Sequence, residues 1–264
     1  MDYVLGSTNR ETERLDIQSK IFETSTLETL KRAGIKNGMR CLDLGCGTGG
    51  TTMLMAKLLG KRGHVTGIDY SADRIRICKR RAYEKHRGNL EFLRGNVYDT
   101  KFEDSTFDFI VSRFLFQHLK DPVKALQEMK RISRKGGIIV TEEFAYSSWL
   151  TYPLEPKVDR LRKSYMKLAR LHHLDPLIAR NLYRLFLRVG LRPNIEAYAV
   201  CVPMQNNFYK IVTLLAEVIR GDLIKNTISS KTEFNEMHER LEKFAENPNG
   251  HLLYTLALRV WSKN

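Results

Sequence analysis

Leu42-Asp43-Leu44-Gly45-Cys46-Gly47-Thr48-Gly49-Gly50 is the stretch on which the reading of this chain turns. The run MRCLDL (39–44) has the length and apolar content of a buried strand, and residues from about Thr51 to Leu59 read as a helix. Glycines between them let the backbone turn tightly and let a ligand come close. Exposed N–H groups at the positive end of the helix suit an anionic group.

The same alternation continues downstream. HVTGID (64–69) precedes a helix from about Ala72 to His86, and LEFLRG (90–95) and FDFIVS (107–112) follow. A helix from about Pro122 to Ser133 leads into GGIIVTEE (136–143). These strands are mostly continuous apolar runs rather than clean alternations, the pattern of a parallel sheet covered on both faces. Right-handed crossovers then give a doubly wound α/β fold. Upstream, Asn9 to Ala33 reads as one helix with an apolar stripe of Leu15, Ile21, Phe22, Leu27 and Leu30, stopping at Gly34.

After Glu143 the rhythm breaks. Residues 144–190 hold Tyr146, Trp149, Tyr152, Pro153 and Pro156 and then two basic helices; PNIEAYAVCV (193–202) and LLYTLALRVW (252–261) read as sixth and seventh strands. Residues 205–247 between them read as mostly helical. Insertions of this length beside the ligand end of a sheet form lids or substrate walls. The expectation is one domain over 1–264, with an N-terminal helical cover (1–33), a ligand-binding core (34–143) and helical insertions (144–190 and 204–248).

Composition narrows the class. The 264 residues are 42% hydrophobic, with no run long enough to span a bilayer. The opening MDYVLGSTNRETERLD has no basic segment followed by an apolar one, so a cytoplasmic location is expected. Cys41, Cys46, Cys78 and Cys201 have no zinc-site spacing, and no metal is expected. The net charge of +14 leaves room for RNA, a membrane surface or an acidic substrate. The basic residues are spread along the chain without an RNA-binding aromatic signature, which favours a solvated surface. Lys79-Arg80-Arg81 reads as the outer face of a helix.

Gly45, Gly47 and Gly50 satisfy G-x-G-x-x-G, the signature of a dinucleotide loop. Asp43 argues the other way, since a carboxylate two residues before the first glycine opposes a pyrophosphate. It suits a ligand carrying an ammonium group, such as the methionine end of S-adenosylmethionine, whose carboxylate the loop amides would take. Asp69 ends the second strand, 24 positions after Gly45, where an acid accepts from a ribose diol. Both ligand types need that contact, and Asp69 also reads as part of a helix N-terminus beginning at Ser71. Tyr70 offers a flat face to ribose or adenine.

LDLGCGTGG, VTGIDYS, LRGNVYD, FDFIVSRFLFQHLKDP and RKGGIIVTEE, in that order over 39–143, resemble the motif series of the class I S-adenosylmethionine-dependent methyltransferases. The likeness is to the branch containing ubiquinone and menaquinone biosynthesis methyltransferases. YVLGSTNRETERLDIQ and LALRVWSKN resemble a recurrent subgroup of that branch. The resemblance implies a Rossmann-like seven-stranded sheet with its last strand antiparallel, and methyl transfer to an O, N or C atom of a small-molecule acceptor. RNA or protein as acceptor is the alternative suggested by charge; a non-catalytic cofactor binder ranks last. Cofactor contacts are implied at Gly45, Gly47, Asp69, Asn96, Val97 and either Ser112 or Arg113, with Asp43, Cys46 and Tyr70 beside them. The family often has Asp where Asn96 stands; Asn96 accepts without charge assistance. Val97 would touch the adenine ring. Tyr3, Arg14 and Gln18 would come from an N-terminal helix folded over the cofactor, although a solvated amphipathic helix explains Arg14 and Gln18 equally.

A sulfonium carries its own leaving group, so the protein's task is alignment, and a base is needed only when the acceptor loses a proton. His118 is the candidate base, with capping or packing of the helix near Leu119 as its other reading. Strand alternation lets only one of Glu142 and Glu143 face the acceptor, unless both are solvent-facing strand ends. Tyr146, Trp149 and Tyr152 would wall an aromatic acceptor or pack a lid.

Overall fold

The computed structural model describes residues 5, 8–84, 88–203, 210–246 and 252–264. Its elements are α1 (Asn9–Ile21), α2 (Glu23–Ala33), β1 (Arg40–Leu44), α3 (Gly50–Leu59), β2 (His64–Asp69), α4 (Ala72–Glu84), β3 (Leu90–Arg94), β4 (Phe107–Arg113), α5 (Pro122–Ile132) and β5 (Ser133–Tyr152). There follow α6 (Pro156–Leu171), α7 (Leu182–Arg188), β6 (Asn194–Pro203), α8 (Lys210–Lys225), α9 (Lys231–Ala245) and β7 (Leu252–Lys263). A 3₁₀ turn over Phe116–His118 follows β4.

The strands form one sheet in the order β3-β2-β1-β4-β5-β7-β6. β7 runs antiparallel to β5 and β6, and the pairings among β1 to β5 are parallel. This is the expected Rossmann-like seven-stranded α/β sheet. Strand order reverses between β1 and β4, so the crevice for a ligand opens at their carboxyl ends, where the glycine loop lies. The continuous apolar runs are explained by two covered faces. Leu42, Leu44, Ile110 and Ile139 pack with Ala125, Leu126, Met129 and Ile132 of α5. Cys41, Phe109, Val111 and Val140 pack with Leu30 of α2 and Leu54, Met55 and Leu59 of α3.

Three features depart from the sequence expectations. The helix expected over 9–33 is two helices, broken where the Phe22 ring sits edge-on to Phe114 (5.0 Å) and Phe144 (4.8 Å). The buried residues of α1 are Glu11, Arg14 and Gln18, while Leu15 is only half-buried; a solvated helix is therefore the wrong account of Arg14 and Gln18. Secondly, residues 144–152 belong to the sheet rather than to the first insertion. β5 continues past Glu143, and after an irregularity between Ala145 and Leu150 its end pairs with Leu252–Tyr254. Tyr146, Trp149 and Tyr152 looked like a break in rhythm, yet aromatics are strand formers. Thirdly, Arg81 is not part of a solvated face, because it forms two hydrogen bonds with Asp16.

α6, α8 and α9 build a second core over the carboxyl end of the sheet, in which Tyr165, Leu168, Leu215, Ile219 and Leu241 meet Phe114, Phe144 and Tyr146. The second insertion is described over 210–246. Among the described residues no helix is long and apolar enough to cross a membrane.

Candidate functional site

The loop from β1 to α3 holds Gly45, Gly47 and Gly49 at φ of 78°, 55° and 86°, conformations that side chains oppose. A Cβ at Gly45 would also lie 2.9 Å from the Leu115 methyl groups. The N–H groups of Gly45 and Cys46 both donate to the Ile68 carbonyl (2.8 and 2.9 Å), and Gly49 N–H donates to the Cys46 carbonyl. Gly47 N–H donates to Asp69 Oδ2 at 3.0 Å. These amides are thus engaged within the protein, and the loop's offer to an anion is the start of α3, whose N-terminus has no side-chain cap.

Asp43 lies beneath the loop, 2% exposed, with Thr52 donating to its Oδ2 at 2.6 Å. Burial pushes its carboxyl up to about 6, against the opposing pull of Thr52 and Arg113. Asp69, at the tip of β2, accepts from Ser71 N–H at 2.9 Å besides Gly47 N–H, and Arg74 lies 3.7 Å away. The two carboxylates therefore flank the loop, one under it and one beside it. Tyr70 is exposed, with the Arg94 guanidinium 5.3 Å over its ring. Asn96 is exposed and accepts from Tyr98 N–H through Oδ1, while Val97 is buried.

At the end of β4, Arg113 donates to Thr51 Oγ1 at 3.0 Å, and Ser112 is fully buried. Phe114 has a φ of 55°, rare for a bulky residue. It is held by its N–H to the Glu142 carbonyl (2.8 Å) and by stacking on Phe144 at 3.8 Å. Such strain collects at binding sites.

Glu142 and Glu143 point to opposite faces, and both are buried, so neither is a solvent-facing strand end. Glu142 accepts from Thr29 Oγ1 at 2.5 Å, and Arg259 donates to the same hydroxyl. Glu143 accepts from Phe116 N–H at 2.6 Å and from Gln117 Nε2 at 3.4 Å. Burial pushes the Glu143 carboxyl up to about 8. His118 follows in the same turn. Burial, Arg14 and Arg74 together hold its imidazole down to about 3, so it is neutral at physiological pH. Tyr146 stacks between Trp149 (5.2 Å) and Tyr165 (4.9 Å), whereas Tyr152 is exposed and forms no such wall.

The buried face of α1 adds charge to this end of the sheet. Arg14 grips Glu11 with two hydrogen bonds (2.7 and 2.8 Å) and donates to Gln18 Oε1 at 2.8 Å. Glu11 also lies 3.9 Å from Arg74. Tyr3 lies outside the described residues. Sequence reasoning missed Glu11, Arg74, Thr52 and Phe114. A signal for the first existed: Glu11, Arg14 and Gln18 at i, i+3 and i+7 share one helix face.

The sequence pattern described as "Methyltransferase domain" matches residues 35–214, more than half of the chain. A demethylmenaquinone methyltransferase of Staphylococcus aureus is 34% identical over 114 residues, which are 43% of this chain and 46% of that protein. That of Staphylococcus haemolyticus is 32% identical over 138 residues, 52% of this chain and 54% of that protein. The chain thus spans about half the length of the curated relatives it matches. Two solved structures share its fold. A SAM-dependent methyltransferase from Aquifex aeolicus has a TM-score of 0.58 at 21% identity, covering 74% of this chain and 94% of that one. For a putative methyltransferase from Bacillus halodurans the TM-score is 0.62 at 14% identity, covering 91% and 98%. The length of the family match, on this sheet order and with this loop at the switch point, leads to one conclusion: the chain belongs to the methyltransferase domain family.

Proposed function

We propose that the chain transfers a methyl group from S-adenosylmethionine to a small, flat, largely apolar acceptor. The observation that carries this reading is the pair of buried carboxylates, Asp43 and Asp69, at the tips of adjacent parallel strands. A dinucleotide fits this site poorly, because the first amides of the glycine loop are spent on Ile68 and a diphosphate would face Asp43. An ammonium-bearing nucleoside fits it well. Asp69 would accept from the ribose hydroxyls, Asp43 would favour the ammonium group, and the start of α3 would take the carboxylate. Val97 and Tyr70 would bracket the adenine, with Asn96 at its edge; Gly45, Cys46 and Gly47 allow close approach, and Arg113 borders the tail through Thr51.

When bound, S-adenosylmethionine supplies an activated methyl group with its leaving group attached. The protein's work is to position the acceptor and exclude water. Phe114, Phe144, Tyr146, Trp149 and Tyr165 pack in one aromatic cluster, joined to the turn carrying His118 by the Tyr165 hydroxyl on Gln117, and such a cluster would wall an aromatic acceptor. The quinone-type acceptor named for the staphylococcal relatives is of that kind. A neutral His118 would act as a hydrogen-bond partner for a polar group of the acceptor rather than as a strong base. RNA is the weaker alternative, since Arg14, Arg74, Arg81 and Arg259 face internal partners. The free cysteines fit a reducing compartment, and we place the enzyme in the cytoplasm.

The test is transfer of isotopically labelled methyl from S-adenosylmethionine into a cell extract, resolved by mass spectrometry. Label in an organic-soluble aromatic compound is the expected result. Label confined to RNA or protein would overturn the acceptor assignment.

A further inference from the structure

α4 carries two arginines seven residues apart, Arg74 and Arg81, and two helical turns place them on one face. Each stands between a carboxylate of α1 and the rim of the cofactor site. Arg81 donates to both oxygens of Asp16 (2.8 and 2.6 Å) and to the Thr48 carbonyl of the glycine loop (3.1 Å). Arg74 lies 3.9 Å from Glu11 and 3.7 Å from Asp69, both of them buried. Between these ion pairs α1 lies close on the loop itself: the Leu15 side chain approaches Gly47, and Ser19 lies against Gly50 so closely that no Cβ fits there.

We infer that Arg74 and Arg81 are positioning residues that latch α1 onto the glycine loop and Asp69, so that engaging the methyl donor and closing α1 are one coupled step. The inference rests on the donor assignment proposed above and adds to it the residues that transmit occupancy. The physical reason is economy of order. Thr48 and Asp69 belong to the loop and strand tip that a donor would grip, and the same arginines hold Glu11 and Asp16. A ligand that fixes the rim therefore fixes the guanidinium groups, and α1 has less freedom left to lose. By reciprocity, an α1 that cannot latch weakens the ligand. α1 leads into Phe22, which sits against Phe114 and Phe144, so the same step would shape the acceptor wall.

The test measures S-adenosylhomocysteine affinity by calorimetry, and hydrogen exchange of the 9–21 amides with and without that ligand. It uses the wild type, Asp16→Ala, Arg81→Ala and the double variant. Asp16 is a partly exposed side chain, so its removal leaves the fold intact, which thermal denaturation without ligand checks. Ligand is expected to slow exchange of α1 in the wild type. Asp16→Ala should bind about five-fold more weakly and lose that protection. The double variant should be no weaker than Arg81→Ala alone, because the pair acts as a unit. A wild type that binds while its α1 exchange ignores the ligand, with Asp16→Ala binding equally well, overturns the latch and leaves the donor assignment standing. A folded wild type that binds no S-adenosylhomocysteine overturns both.

Discussion

Glu143 accepts the backbone N–H of Phe116 at 2.6 Å, so the middle of β5 carries the turn on which His118 sits. The contact ties the turn that follows β4 to β5 and places a buried acid behind that turn. Its carboxyl is pushed up to about 8 by burial, above the ordinary 4.5. An acid whose pKa rises on folding contributes stability that is complete below the unfolded value and is lost as pH climbs through the folded one. The melting temperature should therefore fall as pH climbs from about 4.5 to about 8 and level off above that, and Glu143→Gln, which keeps an acceptor for Phe116, should flatten that decline. Glu143→Leu leaves the Phe116 N–H unsatisfied and should cost about 1–3 kcal/mol in denaturant unfolding.

His118 behaves in the opposite sense. Its pKa falls on folding from 6.5 to about 3, so its stabilising contribution is present above 6.5 and lost as pH drops toward 3. Nuclear magnetic resonance of the imidazole should show no titration between pH 5 and 8. Arg14→Gln removes a nearby positive charge and should raise the midpoint. A wild-type midpoint near 6.5 would restore His118 as the candidate base.

Asp43 predicts a pH dependence of binding. Its carboxyl, held near 6 by burial, would be favoured in the charged form by a ligand ammonium group. S-adenosylhomocysteine affinity should rise as pH increases from 5 to 7 and then level off. Asp43→Asn should abolish the rise and weaken binding at pH 7 by about ten-fold.

Most of the sheet could be read from the chain because burial on both faces makes β1, β2 and β4 mostly apolar runs without clean alternation, and turns mark their ends. The extension of β5 was hidden. Ser147 and Ser148, in the irregular stretch between Ala145 and Leu150, interrupt the apolar pattern, although the aromatics around them pack a core. The division of α1 from α2 was also hidden, since Phe22 leaves helical geometry for rings contributed by β4 and β5. Asp43, Asp69 and the glycines stood out because strand-end acids and glycine turns are local signals. Arg74 and Arg81 did not, because their partners come from α1 and the loop rather than from their own helix.

Gly50 supplies a steric prediction. A Cβ there would lie 1.9 Å from Ser19 Oγ and 2.8 Å from Ser19 Cβ. Gly50→Ala should cost about 1–3 kcal/mol of stability by overpacking. Ser19→Gly in the same chain removes both colliding atoms and should restore most of that loss in thermal denaturation, less the roughly 1 kcal/mol that glycine costs in a helix.

The most direct measurement is a calorimetric titration of the purified chain with S-adenosylhomocysteine and, in parallel, with NAD. The two buried acids predict one-to-one binding of S-adenosylhomocysteine, sharply weakened by Asp69→Ala, and no comparable binding of the dinucleotide. Saturable binding of NAD with no heat from S-adenosylhomocysteine would contradict it.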